Sequence, residues 1–559
     1  MADTRTHELL LADLGITRDQ ILADYELGWT SRHASLLGRK EVLTGKAKFG
    51  IFGDGKELPQ LALAHAMEPG DFRSGYYRDQ TLLFALGLLS LDEFFAQLYA
   101  DADPEREPCS AGRQMNAHFA TPLREENGVW LPLTSRPQSA ADLSPTASQM
   151  PKLVGLAWAS RLYRELPELA NRTHFSRGGR EVAFGTIGNA SCAEGLFWET
   201  INAIGVLRVP AVISIWDDEY GISVPNAYQI AKGHLSLLLA GFAWHPDRGG
   251  FEVVTVPGWN YPELVLAYRR VTELARREHR PALVHVVELT QPQGHSTSGS
   301  HERYKSPERL AWETEWDGLR QMRHWLIAEG LASPEELDLL EERAAQRARQ
   351  AQATAWEAAQ TPILREREEL KHAAAPLLAH LPQLASVLEP LNRLSPLYRR
   401  HLSAAAHELL LKGQRAPKEA LEPLQLWLHA YDSEQRKRYG SHLVAEGARS
   451  AVSIPGEPPV YAPDAPILNG FEILNRAFDR LFSDYPELVA FGEDVGKLGD
   501  VNQGFQGLQA RYGELRVGDT GIREATILGQ AIGIALRGLR PIAEIQYLDY
   551  LLYALQLLS

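Results

Sequence analysis

The 559 residues exceed one ordinary core, and at roughly 150 residues per domain they set a prior of three or four domains. A composition 45% hydrophobic and 23% charged excludes a wholly disordered or fibrous chain, and a formal charge of −14 excludes bulk attraction to nucleic acid or anionic lipid. Two cysteines, Cys109 and Cys192, exclude a disulfide scaffold and a Cys-rich zinc module, and suit a reducing compartment. No run of about 18 apolar residues predicts a membrane span. The N-terminal MADTRTHELLLADLG has neither a signal-peptide core nor a cleavage site. The expectation is a cytoplasmic, soluble, multidomain protein with no nucleic-acid or membrane partner.

Residues 1 to about 105 read as mostly helical, as in LDEFFAQLYADADP, whose Asp92 and Glu93 stand in the first turn. Residues 110–150 read as irregular and carry the Ser/Pro/Thr-rich TSRPQSAADLSPTASQ. A helix, QMPKLVGLAWASRLYREL, then introduces four short apolar β-runs: EVAFGTIG, PAVISIWDD, FEVVTVPG and PALVHVVEL. Helical stretches such as AEGLFWETINAIGVL and YPELVLAYRRVTELARRE separate them, which predicts a parallel, doubly wound sheet over residues 1–330. Residues 331–452 lose the β-runs and read as a helical insert. Its EERAAQRARQ stretch reads as a solvated face. SIPGEPPVYAPDAP, residues 453–466, is a Pro-rich linker. Residues 467–559 resume a helix and strand–helix–strand order. They supply fewer strands than a parallel α/β domain needs, so the expectation is a partial second domain, incomplete at its C-terminus.

Two turns stand where chemistry is expected. The first follows EVAFGTIG and runs Gly188-Asn189-Ala190-Ser191-Cys192-Ala193-Glu194-Gly195 into a helix. The second follows AVISIW and runs Asp217-Asp218-Glu219-Tyr220-Gly221. Both lie at the C-terminal ends of strands, where open α/β sheets bind ligands. Glycines admit a phosphate to the backbone, and a helix N-terminus favours an anion. Asn189 and Asp218 offer oxygen ligands to a hard ion such as Mg²⁺, which also bridges diphosphate oxygens. Gly53-Asp54-Gly55, with no β–α–β partner after it, reads as a loop.

The pair of turns resembles the thiamine-diphosphate fingerprint, Gly-Asp-Gly followed by Asn-Asn. The acid and the amide have changed places, as Asn189 and Asp218, and Tyr220 stands where a backbone carbonyl is a third metal ligand in such enzymes. Further matches resemble the decarboxylase components of 2-oxoacid dehydrogenases, branched-chain ones above all. Gly112-Arg113-Gln114-Met115-Asn116-Ala117-His118 is similar to their GRQM…H segment. Ser144 to Pro151 is similar to their SPxATQxP loop, which implies a K⁺ site at Ser148 and Gln149. Tyr77-Arg78-Asp79 matches their Tyr-Arg-Glu and implies diphosphate contacts from Tyr77 and Arg78. Gly294-His295-Ser296-Thr297-Ser298 matches their HSTS loop and implies a role for His295 at the mouth of the site, in transfer to the lipoyl arm. Trp216 and Gln291 stand where some relatives carry Arg.

The C-terminal piece resembles the start of the family's other subunit. Phe491-Gly492-Glu493-Asp494-Val495 matches FGEDV, Asp519 to Glu524 matches DTPIxE, and Pro541 to Tyr547 matches PVAEIQF, with Asp549-Tyr550 in place. The resemblance implies that Glu524 activates the cofactor by a proton exchange at its aminopyrimidine ring. It also implies that Tyr550 packs on that ring and that Glu493, Gly188, Ala190, Glu194 and Gly195 bind cofactor. It implies a thiamine-diphosphate-binding α/β fold with Mg²⁺, oxidative decarboxylation of a 2-oxo acid, acyl transfer to a lipoylated dihydrolipoyl acyltransferase, and a homodimer. Another thiamine enzyme, of acetoin or transketolase type, and a non-catalytic assembly subunit are the alternatives.

Overall fold

The protein is described by a computed structural model over residues 11–441, 443–444 and 450–558. Its first strands are β1 (Phe72–Ser74), β2 (Gln138–Ser139), β3 (Ala183–Gly188), β4 (Ala211–Trp216), β5 (Tyr220–Gly221), β6 (Val224–Pro225), β7 (Glu252–Pro257) and β8 (Ala282–Val287). Six of them form one sheet in the order β2-β1-β3-β4-β8-β7, and every pair in it is parallel. β5 and β6 are a separate antiparallel hairpin. β3, β4, β7 and β8 are the four apolar runs of the sequence. β1 and β2 were not among the expected strands: they fall in segments that read as helical and as irregular. Their sequences, FRS and QS, are short, and apart from Phe72, which enters a core, their burial is satisfied by polar contacts and ion pairs. Arg73 of β1 pairs with Asp79 at 2.5 Å and with Asp142 at 3.0 Å, all three buried.

The sheet is covered on both faces. Strand residues alternate between two cores, as their period of two requires. Phe184, Val212 and Val284 enter one core, with Tyr25 of α1 (Arg18–Leu43), Leu61 of α2 (Glu57–Ala66) and neighbouring helices. Ala183, Ile213 and Leu283 enter the other, with Leu153 of α3 (Gln149–Glu165) and Ile201 of α4 (Gly195–Leu207).

One long helix, α5 (Pro334–His380), leads into the insert. Leu337, Leu340, Ala351 and Ala355 of α5 belong to the first core. Its later residues, Ile363, Leu370 and Leu377, pack with α6 (Arg399–Gly413) and α7 (Lys418–Gly440) in a separate helical core. The mixed-charge stretch at its start is tied to the sheet unit: Arg343 and Arg347 both reach Glu26 of α1, at 2.7 and 3.3 Å.

After an exposed stretch, α8 (Gly470–Asp484) precedes a second parallel sheet of β9 (Leu488–Gly492), β10 (Val517–Asp519) and β11 (Arg540–Ala543), ordered β10-β9-β11. Its helix α9 (Glu524–Leu536) lies against α3 of the first unit. Glycines permit the approach. A Cβ on Gly155 would stand 1.9 Å from the Gln530 carbonyl oxygen, and one on Gly533 would stand 2.3 Å from that of Lys152. Ile527 and Ile534 of α9 therefore share a core with Leu153 and Ile201.

Candidate functional site

The ends of β3 and β4 stand side by side, with Gly188 registered against Trp216. The turns beyond them close on one another. A Cβ on Gly221 would meet that of Ala190 at 2.4 Å, so this position needs glycine. Between the turns opens a cavity of about 340 Å³. Gly188, Asn189, Ala190, Asp218 and Tyr220 line it, and so do Tyr77, Arg78 and His295 from two other segments. The structure thus brings together eight residues that the sequence singled out.

Arg78 is buried, and its guanidinium meets only neutral partners: the Phe52 carbonyl, the His295 carbonyl at 3.0 Å and His295 Nδ1 at 3.1 Å. Among the described residues no carboxylate pairs with it. Arginine has no acceptor, so Nδ1 of His295 accepts and the ring carries its proton on Nε2. Burial, together with the Arg78 charge, lowers His295 to about 4. Of the two positions where arginine was absent, Trp216 is buried against Tyr76 and donates to Ser214, while Gln291 turns to the residue described next.

Sequence reasoning missed Lys56. It follows the Gly53-Asp54-Gly55 loop and caps the start of α2, 1% exposed. Gly55 holds φ at +83°, and a Cβ there would stand 2.2 Å from the Thr290 carbonyl oxygen, so glycine lets this loop press against the segment after β8. Lys56 Nζ lies 2.7 Å from Asp218 Oδ2, 2.8 Å from the Thr290 carbonyl and 2.6 Å from Gln291 Oε1. Burial raises the Asp218 carboxyl, but Lys56, with Lys305 and Arg78, holds it below its ordinary value. The visible signal was a lysine directly after a glycine-rich loop otherwise taken as inert.

Two of the three oxygens expected to hold Mg²⁺, those of Asp218 and Tyr220, are engaged by the chain itself, and the third residue, Asn189, directs its amide nitrogen toward Tyr220. Asp218 takes the Lys56 ammonium. The Tyr220 carbonyl accepts from Asn189 Nδ2 at 3.3 Å, and the same Nδ2 donates to Asn226 Oδ1 at 2.7 Å. Mg²⁺ demands near-octahedral oxygens at about 2.0–2.1 Å and commonly one or two carboxylates. The only carboxylate here is already neutralised, so the residues present do not fit the divalent ion. Ser148 and Gln149 lie away from this cavity. Gln149 Nε2 donates to the Thr186 carbonyl, and the buried Ser148 Oγ has no partner.

A second cavity, about 660 Å³, gathers Glu194, Gly195, Glu493, Glu524 and Tyr550, together with Glu199 and Arg523. No residue lines both cavities. Glu199 of α4 accepts the Thr526 N–H at 2.8 Å, so a carboxylate of the first unit caps the helix that begins with Glu524. Burial raises the Glu493 carboxyl, with Glu524 and Asp494 adding to it, and its Oε1 is buried without a partner.

These features define a doubly wound parallel sheet with a cavity holding an unpaired guanidinium at its C-terminal edge, and a carboxylate-rich pocket lined by that unit and a second α/β unit. Residues 32–363 match the family described as dehydrogenase E1 component, and residues 468–559 match the pyrimidine-binding domain of transketolase. The chain belongs to the dehydrogenase E1 component family. It is 29% identical over 301 residues to the 2-oxoisovalerate dehydrogenase subunit alpha of Bacillus subtilis, covering 54% of this chain and 79% of that one. Its C-terminal part is 47% identical over 81 residues to the pyruvate dehydrogenase E1 component subunit beta of Acholeplasma laidlawii, covering 14% of this chain and 25% of the relative. It is 43% identical over 79 residues to the 2-oxoisovalerate dehydrogenase subunit beta of Pseudomonas aeruginosa, covering 14% and 23%. The chain thus joins α-like and β-like parts, and spans about a quarter of the β-subunit relatives it matches.

Proposed function

We propose that the protein carries out thiamine-diphosphate-dependent decarboxylation of a 2-oxo acid and passes the acyl group to a lipoyl group on a dihydrolipoyl acyltransferase. The observation that carries this reading is Arg78, a buried guanidinium without a carboxylate partner at the strand-end cavity. A buried charge without a partner is costly, and a diphosphate would supply the missing anion. Glu493 Oε1, buried and unpaired in the other cavity, fits the polar edge of an aminopyrimidine.

When bound, the cofactor supplies the carbon nucleophile and the electron sink of decarboxylation. Arg78 and Tyr77 hold the diphosphate. Glu524 holds and returns a proton at the aminopyrimidine, Glu493 bonds beside it, and Tyr550 packs on the ring. His295, neutral and protonated on Nε2, offers a hydrogen-bond donor where the lipoyl arm enters. The Ser148–Gln149 turn suits K⁺ through the unpaired Ser148 Oγ. A single cofactor touching Arg78 and Glu524 draws on two copies of the chain, because the two cavities share no residue, and so the working form is a homodimer. Ile522, 84% exposed beside Glu524, belongs to the face that the second copy covers. The substrate is a branched 2-oxo acid, in line with the two 2-oxoisovalerate dehydrogenase relatives. The setting is cytoplasmic; no helix among the described residues is long and apolar enough to cross a membrane.

Calorimetry with thiamine diphosphate, followed by a decarboxylation assay on 2-oxoisovalerate and pyruvate, tests the reading. Glu524→Gln is expected to abolish turnover and keep cofactor binding. Retained turnover would refute the role of Glu524. Absence of any binding heat would favour the non-catalytic assembly subunit.

A further inference from the structure

We infer that the Lys56 ammonium takes the place of the divalent cation at the strand-end cavity, so that this site receives its diphosphate without a metal ion. The inference rests on the reading that the cavity takes a diphosphate.

Three arrangements support it. First, the ammonium sits on Asp218, the one carboxylate among the three groups expected to ligate a metal, at 2.7 Å. A divalent ion bound to that carboxylate would stand within a few ångströms of a positive charge that is itself 1% exposed. Lysine is almost never fully buried unless paired, and this one is held by three acceptors that match its three donors. Second, Asn189 is turned by Asn226, which itself donates to Asp217 at 3.0 Å. That chain aims the Asn189 Nδ2 at the Tyr220 carbonyl, so an N–H donor rather than a metal stands against the third expected ligand. Third, Gly55 and the Thr290–Gln291 segment form a fitted seat for the ammonium, with Gln291 Nε2 also bonded to the Asp54 carbonyl at 3.2 Å.

With its donors spent on the protein, Lys56 acts on an incoming diphosphate through charge, next to Arg78, which has no anion of its own. Asp218 balances Lys56, so the pair presents the ammonium end of a dipole to the cleft and Arg78 supplies its net positive charge.

The test is binding of two probes to the full chain, thiamine diphosphate and inorganic diphosphate, each in EDTA and in excess Mg²⁺. The readout is quenching of tryptophan fluorescence, since Trp216 lines the cavity. Kd is expected to agree within about threefold between EDTA and Mg²⁺. Lys56→Gln is expected to weaken binding in EDTA by at least about tenfold, with Mg²⁺ recovering part of the loss. Lys56→Arg, which keeps the charge, is expected to remain metal-independent and guards against misfolding of the first variant. Inorganic diphosphate binding in EDTA without thiamine diphosphate binding would sink the cofactor reading and leave this inference standing. Wild-type binding of both probes only in Mg²⁺, or of neither in EDTA, would overturn it.

Discussion

Arg537, at the end of α9, places Nη2 2.9 Å from Oε2 of Glu181, in the segment before β3, and both side chains are buried. The pair joins the second α/β unit to the first. Arg537 Nη1 donates to the Leu156 carbonyl and to Ser160 Oγ, both at 3.1 Å, and its own carbonyl accepts the Tyr163 hydroxyl at 2.7 Å. Burial raises the Glu181 carboxyl, but Arg537, Ser176 and the Arg177 N–H hold it below its ordinary value. Docking therefore depends on a buried ion pair whose two terminal guanidinium nitrogens are hydrogen-bonded, which helps such a pair to persist in a dry interface.

Removing one partner leaves the other charge buried. Glu181→Leu is expected to destabilise the protein by about 3–5 kcal/mol. Glu181→Leu with Arg537→Met is expected to recover a large part of that loss. A double-mutant cycle in urea measures it, and an additive double mutant would show that the pair does not couple.

The glycine seam is a second point of weakness. Gly533→Val adds atoms where a Cβ already stands 2.3 Å from backbone, so α3 and α9 must separate. The expected cost is on the order of 1–3 kcal/mol. Elastase cutting within residues 453–466, after small residues such as Val460, should leave the two pieces of the wild type together on gel filtration. The Gly533→Val pieces should come apart.

His295 is expected to stay neutral across the physiological range. Its value of about 4 means that it gains a proton only as the pH falls through that region. With ¹³C-labelled histidine, the resonance lost in His295→Asn should not titrate between pH 5 and 8, whereas that of an ordinary histidine would move near 6.5. A midpoint between 6 and 7 would contradict the Arg78 contact.

Glu544 behaves in the opposite sense. Burial, with Asp500, Glu493 and Asp494 nearby, raises it from 4.5 to about 7. The folded state then binds more protons than the unfolded state between those values. Its contribution to stability is full below about pH 4.5 and is lost as the pH rises through about 7. Glu544→Gln is expected to raise the unfolding midpoint at pH 8 and to change it little at pH 5. Equal effects at both values would count against the shift.

The amino-acid sequence by itself was enough for the doubly wound first unit, because β3, β4 and β8 are apolar runs buried on both faces, and the edge strand β7 keeps a Val-rich run. It also marked the two strand-end turns, because their glycines and polar residues sit at one β–α–β spacing, and the Glu524 segment through its resemblance to a family motif. β1 and β2 were illegible, since they are three and two residues long and, Phe72 apart, polar, with the Arg73 charge balanced by Asp79 and Asp142. Lys56 was illegible as a site residue, because its three acceptors come from β4's end and the segment after β8, far along the chain. The tertiary structure alone decided that Asp218 faces an ammonium, that Arg78 has no carboxylate, and that Glu524 and Arg78 line separate cavities. Each of these is a matter of which charges meet across long sequence separations. Local pattern encodes burial and backbone shape, whereas charge pairing is set only when packed elements bring distant side chains within a few ångströms.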